Sequence, residues 1–175
     1  NYTDGILHAS QALSYINKQI TLDAFAVLGD YTDGYPVDNI DNAFGDCRKI
    51  NSLLSPMEAI PNMRMQGNHD FRNFGDDVFY RITDFVRPPF VCRAGDVNLI
   101  FLDANYKSDG TRYGADGERI DWKDTNIPSD QLDALRDILK GSPEGSRFWL
   151  LCHQCLDIGV EERHIVNNAD EVLDI

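Results

Sequence analysis

The sequence lacks any long hydrophobic run, and basic residues are scarce relative to acidic ones. No stretch approaches the ~18 consecutive apolar residues of a membrane-spanning helix, and the first residues lack the basic start and apolar core of a signal peptide. Lys and Arg number 16 against 29 Asp and Glu, which gives a formal net charge of -13. This charge repels nucleic-acid backbones and anionic membranes, so we expect no binding to a nucleic-acid backbone. The lack of a long apolar run predicts that there is no membrane segment.

Cysteine is also scarce. The four cysteines, Cys47, Cys92, Cys152 and Cys155, are too few and too scattered for a disulfide scaffold, which favours a reducing compartment such as the cytoplasm. Cys152 and Cys155 form a C-x-x-C pair, and a redox or zinc role is one alternative for it. The pair follows an apolar strand pattern instead of opening a helix, which argues against that role.

The sequence contains enough apolar residues to form the core of one folded domain. The chain has 175 residues, of which 42% are hydrophobic, and this length can bury roughly 70% of the unfolded surface. Apolar periodicity predicts helices at residues 7–20, 41–55, 76–86 and 130–140, the last capped by Ser129 and ended by Gly141, with a further helix from Ala169. Short apolar runs predict strands at residues 24–28, 63–65, 91–93, 97–102 and 148–152. The continuous apolar runs at 24–28 and 148–152 are typical of strands buried on both faces. The strands at 91–93 and 97–102 are predicted to pair as an antiparallel hairpin. We therefore predict a single α/β domain over residues 1–175.

Polar side chains follow four of the predicted strands. Asp30 with Asp33, then residues 68–70, then Asp103, then His153 come directly after apolar runs. Because strand ends in α/β sheets gather at one edge, we expect these groups to lie side by side. Carboxylate, amide oxygen and imidazole together suit Mn, Fe or Zn better than calcium.

Three other features receive plainer interpretations. Gly67 precedes the second polar group, and we expect it to permit a sharp turn that a Cβ would strain. His8 and His164 have no comparable neighbours in sequence and are interpreted as surface histidines. Residues 108–126 are rich in Gly, Asp and charge but lack the ligand order of an EF-hand, so they are predicted to form a solvated surface loop.

Two blocks carry a resemblance to a known family. Gly29-Asp30-Tyr31-Thr32-Asp33, followed later by Gly67-Asn68-His69-Asp70, resembles the Gly-Asp-x-x-Asp and Gly-Asn-His-Asp/Glu blocks of the calcineurin-like metallophosphoesterases. A later strand ending in His153 matches the same pattern. The resemblance covers nearly the whole chain. It implies two mixed β-sheets packed face to face with flanking helices, and hydrolysis of a phosphoester substrate.

The resemblance also implies a dinuclear centre of two divalent ions, Mn, Fe or Zn, with a water held between them as the nucleophile. Asp30 would bridge the two ions. Asn68 and His153 would bind the second ion. The selectivity for monoesters, diesters, nucleotides or phosphoproteins would lie in loops such as residues 108–126.

The remaining residues of the two blocks would act without binding metal. By the resemblance, His69 would protonate the leaving alkoxide or stabilise the phosphoryl oxygens. Asp33 would accept a hydrogen bond from His69 and favour its protonated form. Asp70 would mainly fix the turn.

Two further blocks of the family pattern do not occur in these residues. The sequence contains neither an Asp-x-His nor a Gly-His-x-His segment, and Asn1 in place of Met is compatible with a processed or truncated chain. We therefore expect a partial phosphoesterase domain with an incomplete site and weak or absent activity. The alternative is a non-catalytic binding domain that retains the phosphoesterase fold.

Overall fold

A computed structural model describes residues 4–19, 21–33, 40–71, 73–114, 119–157, 159 and 164–175. Within these ranges the helices are α1 (Gly5–Gln19), α2 (Ile40–Leu54), a 3-10 turn (Ser55–Met57), α3 (Asn68–Phe71), α4 (Asp76–Thr83), α5 (Ser129–Gly141) and α6 (Ala169–Leu173). The strands are β1 (Phe25–Val27), β2 (Asn62–Arg64), β3 (Phe90–Ala94), β4 (Val97–Phe101) and β5 (Arg147–Leu151). The mixture of helices and strands agrees with the predicted α/β class.

The helix ends are set by local backbone geometry. α4 ends three residues before the predicted boundary at residue 86, because Asp84 adopts a left-handed conformation with φ of 57° that stops the helix. At α5 the predicted cap was wrong. Ser129 is already the first helical residue, and Pro128 occupies the N-cap position without a side-chain hydrogen bond. Proline can start a helix because the N–H it lacks would have no helical partner there.

Strand pairing divides the described strands between two small sheets. β1 and β2 are parallel, with Ala26 opposite Met63. The second sheet has the order β3-β4-β5, where β3 and β4 form the predicted antiparallel hairpin and β5 runs parallel to β4. The prediction of two mixed sheets was therefore correct for the second sheet and wrong for the first, which is purely parallel in the part described.

One apolar cluster is shared by both sheets. Leu99 and Phe101 of β4 and Cys92 of β3 pack with Met65, which follows β2, and with Ala26 of β1. The other faces are covered by helices: α1, α2 and α4 form one core with β1, and α5 and α6 form another with β4 and β5. The shared cluster holds the ends of β1, β2 and β5 close enough to form one site.

The strands are less buried than predicted. The runs at residues 24–28 and 148–152 were expected to be buried on both faces, but every residue of β1 is only partly buried, and Trp149 of β5 is 63% exposed. Among the described strands, β1, β2, β3 and β5 are edge strands, each paired on one side only.

In the described part of the chain, no helix is both long and apolar enough to cross a membrane. All four cysteines are free thiols.

Candidate functional site

Two glycines allow the ends of β1 and β2 to touch. Gly29 has a φ of 106° and Asp30 a φ of 53°, so the left-handed turn lies here, after β1. Gly67 does not have a positive φ, and the expected strain of a Cβ at this residue comes instead from its neighbours. A Cβ on Gly67 would overlap the Asp30 backbone nitrogen and come 2.8 Å from Cε1 of His153. Gly67 is needed for close approach between chain segments.

The His153 ring lies against both Gly29 and Gly67, although His153 follows β5 of the three-stranded sheet. Its Nδ1 is 2.7 Å from the Leu28 carbonyl oxygen, which can only accept, so Nδ1 carries the proton of that hydrogen bond. Its Nε2 faces Asn68 Oδ1 at 2.8 Å and Asp30 Oδ1 at 3.4 Å. The expectation of a single sheet edge was therefore wrong, since the three side chains meet across two sheets.

The atoms Asp30 Oδ1, Asn68 Oδ1 and His153 Nε2 fit a cation. In the neutral tautomer, the Nε2 lone pair points toward two oxygens, and three lone pairs that face one another need a proton or a cation between them. Among the described residues, His, Cys, Asp and Glu side chains form no group of three that could hold a metal. A metal ion here would therefore use the Asn68 amide oxygen as its third ligand, and the described ligands suffice for one ion.

His69 is held at the rim of the same cluster. Its backbone N–H donates to Asp30 Oδ1 at 3.1 Å, and its Nδ1 is 3.0 Å from Asp33 Oδ1. The hydrogen bond expected between His69 and Asp33 is thus present. Because the carboxylate accepts from Nδ1, the Nε2 atom of His69 is left for other partners, and about a third of the side chain is exposed.

Asp70 links the two blocks from inside the protein. Its carboxylate accepts hydrogen bonds from the backbone N–H groups of Tyr31, Thr32 and Gly67 at 2.9 to 3.1 Å, and from the Thr32 hydroxyl at 3.2 Å. The residue is fully buried. Burial raises the pKa of Asp70 to about 7, while the three N–H donors act to lower it. Asp70 has no contact with the cavity described below, which fits support of the turn.

Asp103 does not join the cluster, contrary to expectation. Its carboxylate pairs with Arg112, and its backbone exchanges hydrogen bonds with the Gln131 side chain. Asn105, two residues on, donates to the Gln66 carbonyl at 3.0 Å and accepts from the Gln154 amide at 2.8 Å. The segment after β4 is therefore joined to the segments after β2 and β5 through buried hydrogen bonds. The candidate metal ligands come from the segments after β1, β2 and β5.

The three candidate ligands open onto a cavity of about 320 Å³. The cavity is lined by Asp30, Asn68, His69, Ile120, Trp122, Thr125, His153, Gln154 and His164. His164 was interpreted as a surface histidine, and it is exposed, but it lies in the wall of this cavity. The Cys155 N–H donates to the His164 carbonyl at 3.0 Å, a pairing that sequence spacing does not reveal.

The prediction of a solvated loop at residues 108–126 was wrong in part. Residues 115–118 of this loop lie outside the described residues. Elsewhere, Tyr113, Ile120 and Thr125 are buried, and Ile120 packs with Tyr113 and with Phe71 of α3. The loop is thus packed against the short helix that carries Asn68 and His69.

The C-x-x-C alternative finds no support. Burial raises the pKa of the Cys152 thiol to about 12, opposite to the lowered pKa of a reactive cysteine. The Cys152 thiol donates to the Gln154 side chain and the Cys155 thiol to the Asp157 carbonyl. The two sulfur atoms therefore have different partners.

Comparison with known proteins adds no family assignment. No protein-family model matches the chain, and no curated protein shows significant sequence similarity to it.

Proposed function

We propose that this chain is the core of a metal-dependent phosphoesterase, as its resemblance to the calcineurin-like family implies. The observation that carries the proposal is the convergence of Asp30, Asn68 and His153 on one point, with His69 beside it. The apolar cluster shared by both sheets supports face-to-face packing of the family type. The three atoms need a proton or a cation between them, and the open cavity gives an ion access to them.

Each residue has a distinct part in the proposed reaction. Asp30, Asn68 and His153 would hold a divalent ion, which when bound would supply Lewis-acid chemistry to a water and to the phosphoryl oxygens. The Leu28 carbonyl orients His153 by fixing the proton on Nδ1. Asp33 orients His69, whose Nε2 would deliver a proton to the oxygen of the leaving group. A centre of two ions needs further ligands beyond those the described residues supply, so slow turnover is part of the proposal.

Mn²⁺ uptake tests the proposed ligand set. We expect isothermal titration to find about one Mn²⁺ per chain, and Asp30→Asn to weaken its binding by about tenfold or more, because the ligand loses its charge. Asp96→Asn is the matched control, since this exposed aspartate lies at the far end of β4, where it pairs with Arg147. No uptake by the unmodified chain would contradict the metal site and favour the non-catalytic alternative.

His69→Ala separates proton transfer from metal binding. We expect Mn²⁺ affinity within about twofold of the unmodified chain, since His69 supplies no ligand, while hydrolysis of phosphodiesters with an alkoxide leaving group falls by about 10²- to 10⁴-fold. His8→Ala, the same change at an exposed site on α1, controls for loss of a histidine. Equal losses of metal affinity and turnover in His69→Ala would contradict the proton-donor role.

A further inference from the structure

The cavity has a second wall, opposite in chemistry to the metal-type ligands. Ile120, Trp122 and His164 form this wall, which we call the aromatic wall, and Thr125 and Gln154 complete the lining. The Trp122 and His164 ring centroids are 5.4 Å apart with planes inclined by 40°. Among the described lining residues, Asp30 is the one carboxylate, and its Oδ1 is 3.4 Å from Nε2 of His153. The cavity lining therefore combines aromatic and apolar side chains with polar side chains that could bind an ion.

Hydrogen bonds and apolar packing hold the residues of the aromatic wall in place. The Thr125 carbonyl accepts from the Asn167 N–H at 2.7 Å, and the Thr125 hydroxyl donates to the Ile165 carbonyl at 3.4 Å. These bonds join the segment bearing Trp122 to the segment bearing His164. Ile120 is 8% exposed and packs on Phe71, which ends the helix that begins at Asn68. Packing thus fixes the distance between the wall and the candidate ligands.

His164 adopts an uncommon conformation to take this position. Its φ of 61° lies in the left-handed region, which side chains with a Cβ rarely occupy. Such backbone strain, of order 1–3 kcal/mol, clusters at active sites and ligand-binding sites, although in Asp84 the same conformation only ends α4. Together with Trp122, whose ring centroid is 4.9 Å from the Lys123 ammonium, His164 gives the cavity an aromatic boundary.

We propose that the aromatic wall binds a planar aromatic leaving group of the phosphoester. The inference rests on the proposed function, which puts the phosphoryl group beside Asn68, His69 and His153. A volume of about 320 Å³ lies at the low end of ligand pockets, enough for a phosphoryl group and one ring system. A ring attached to that phosphoryl group would contact Ile120 and Trp122, and a small alkyl ester would leave this surface wet. The site therefore prefers aryl esters over alkyl esters.

Trp122 can report on its own contacts. The chain has two tryptophans, and Trp149→Phe removes the exposed one on β5, which leaves Trp122 as the only source of indole fluorescence. The probes are phenylphosphonate and methylphosphonate, which have no ester to hydrolyse, and phenol, all titrated with Zn²⁺ present. We expect phenylphosphonate to shift the Trp122 emission and to bind about fivefold more tightly than methylphosphonate, the preference that one aromatic contact supplies.

Substitutions of Trp122 test whether this residue causes the preference for phenylphosphonate. By calorimetry, Trp122→Ala is expected to abolish the phenyl preference without changing methylphosphonate affinity, and Trp122→Phe to restore most of it. Equal affinities for the two phosphonates in the unmodified chain, or equal losses of both in Trp122→Ala, would overturn the aromatic wall. Phenol and phenylphosphonate binding equally well at Trp122 would support the wall and count against the phosphoryl site of the proposed function.

Discussion

Asp70→Ala is expected to lower the free energy of unfolding by about 3–5 kcal/mol, the largest loss for any single change at the site. The carboxylate is fully buried and accepts four hydrogen bonds, three from backbone N–H groups and one from the Thr32 hydroxyl. Alanine would leave these donors in the interior without acceptors, at about 1–3 kcal/mol for each one that stays unpaired. Guanidinium unfolding followed by circular dichroism measures the loss.

Two other variants test whether the loss of stability in Asp70→Ala comes from its buried hydrogen bonds. Asp70→Asn keeps the shape of the side chain, but its amide group would face the donors now bound by one carboxylate oxygen, so we expect an intermediate loss of about 1–3 kcal/mol. Asp77→Ala removes a carboxylate that is 92% exposed and pairs with Arg87, and should cost under about 1 kcal/mol. Similar stabilities for Asp70→Ala and Asp77→Ala would show that the buried hydrogen bonds do not hold the two blocks together.

Local sequence patterns predict the long helices because these patterns repeat within the helix. α2 lies within one residue of its predicted bounds and α5 begins at the residue expected to cap it, since Leu132 and Leu135 place the apolar stripe on one face. The four-residue helix α3, Asn68–Phe71, is too short to show a period, and it was interpreted as a turn. The sequence pattern therefore predicts that the long segments α2 and α5 are helical, but it does not predict the conformation of the four-residue segment α3.

Which polar groups meet depends on contacts between distant parts of the chain. Asp30, Asn68 and His153 follow apolar runs and could be selected from sequence, but Asp103 follows one too and pairs with Arg112 instead. His164 has no local signal at all. It reaches the cavity because Cys155 and Ile165 form an isolated parallel bridge. Strand ends thus identify candidates, and tertiary pairing decides which of them share a cavity.

Gly67→Ala is expected to lower the free energy of unfolding by about 2–4 kcal/mol and to weaken Mn²⁺ binding as well. Its new Cβ would overlap backbone and side-chain atoms of Asp30 and approach the His153 ring. A backbone atom cannot move aside as a flexible side chain can, so the ends of β1 and β2 must separate. Separation moves Asp30 away from Asn68, and the candidate ligands no longer meet.

Gly45→Ala makes the same chemical change with the opposite expected sign. Gly45 lies inside α2, and a Cβ there meets no atom within 4 Å. Alanine should therefore stabilise the protein by about 0.5–1 kcal/mol through its higher helix propensity, with Mn²⁺ affinity unchanged. Denaturant unfolding and metal titration of both variants give the comparison. If Gly67→Ala matched Gly45→Ala in stability and metal affinity, the ends of β1 and β2 would not be in the contact that brings Asp30, Asn68 and His153 together.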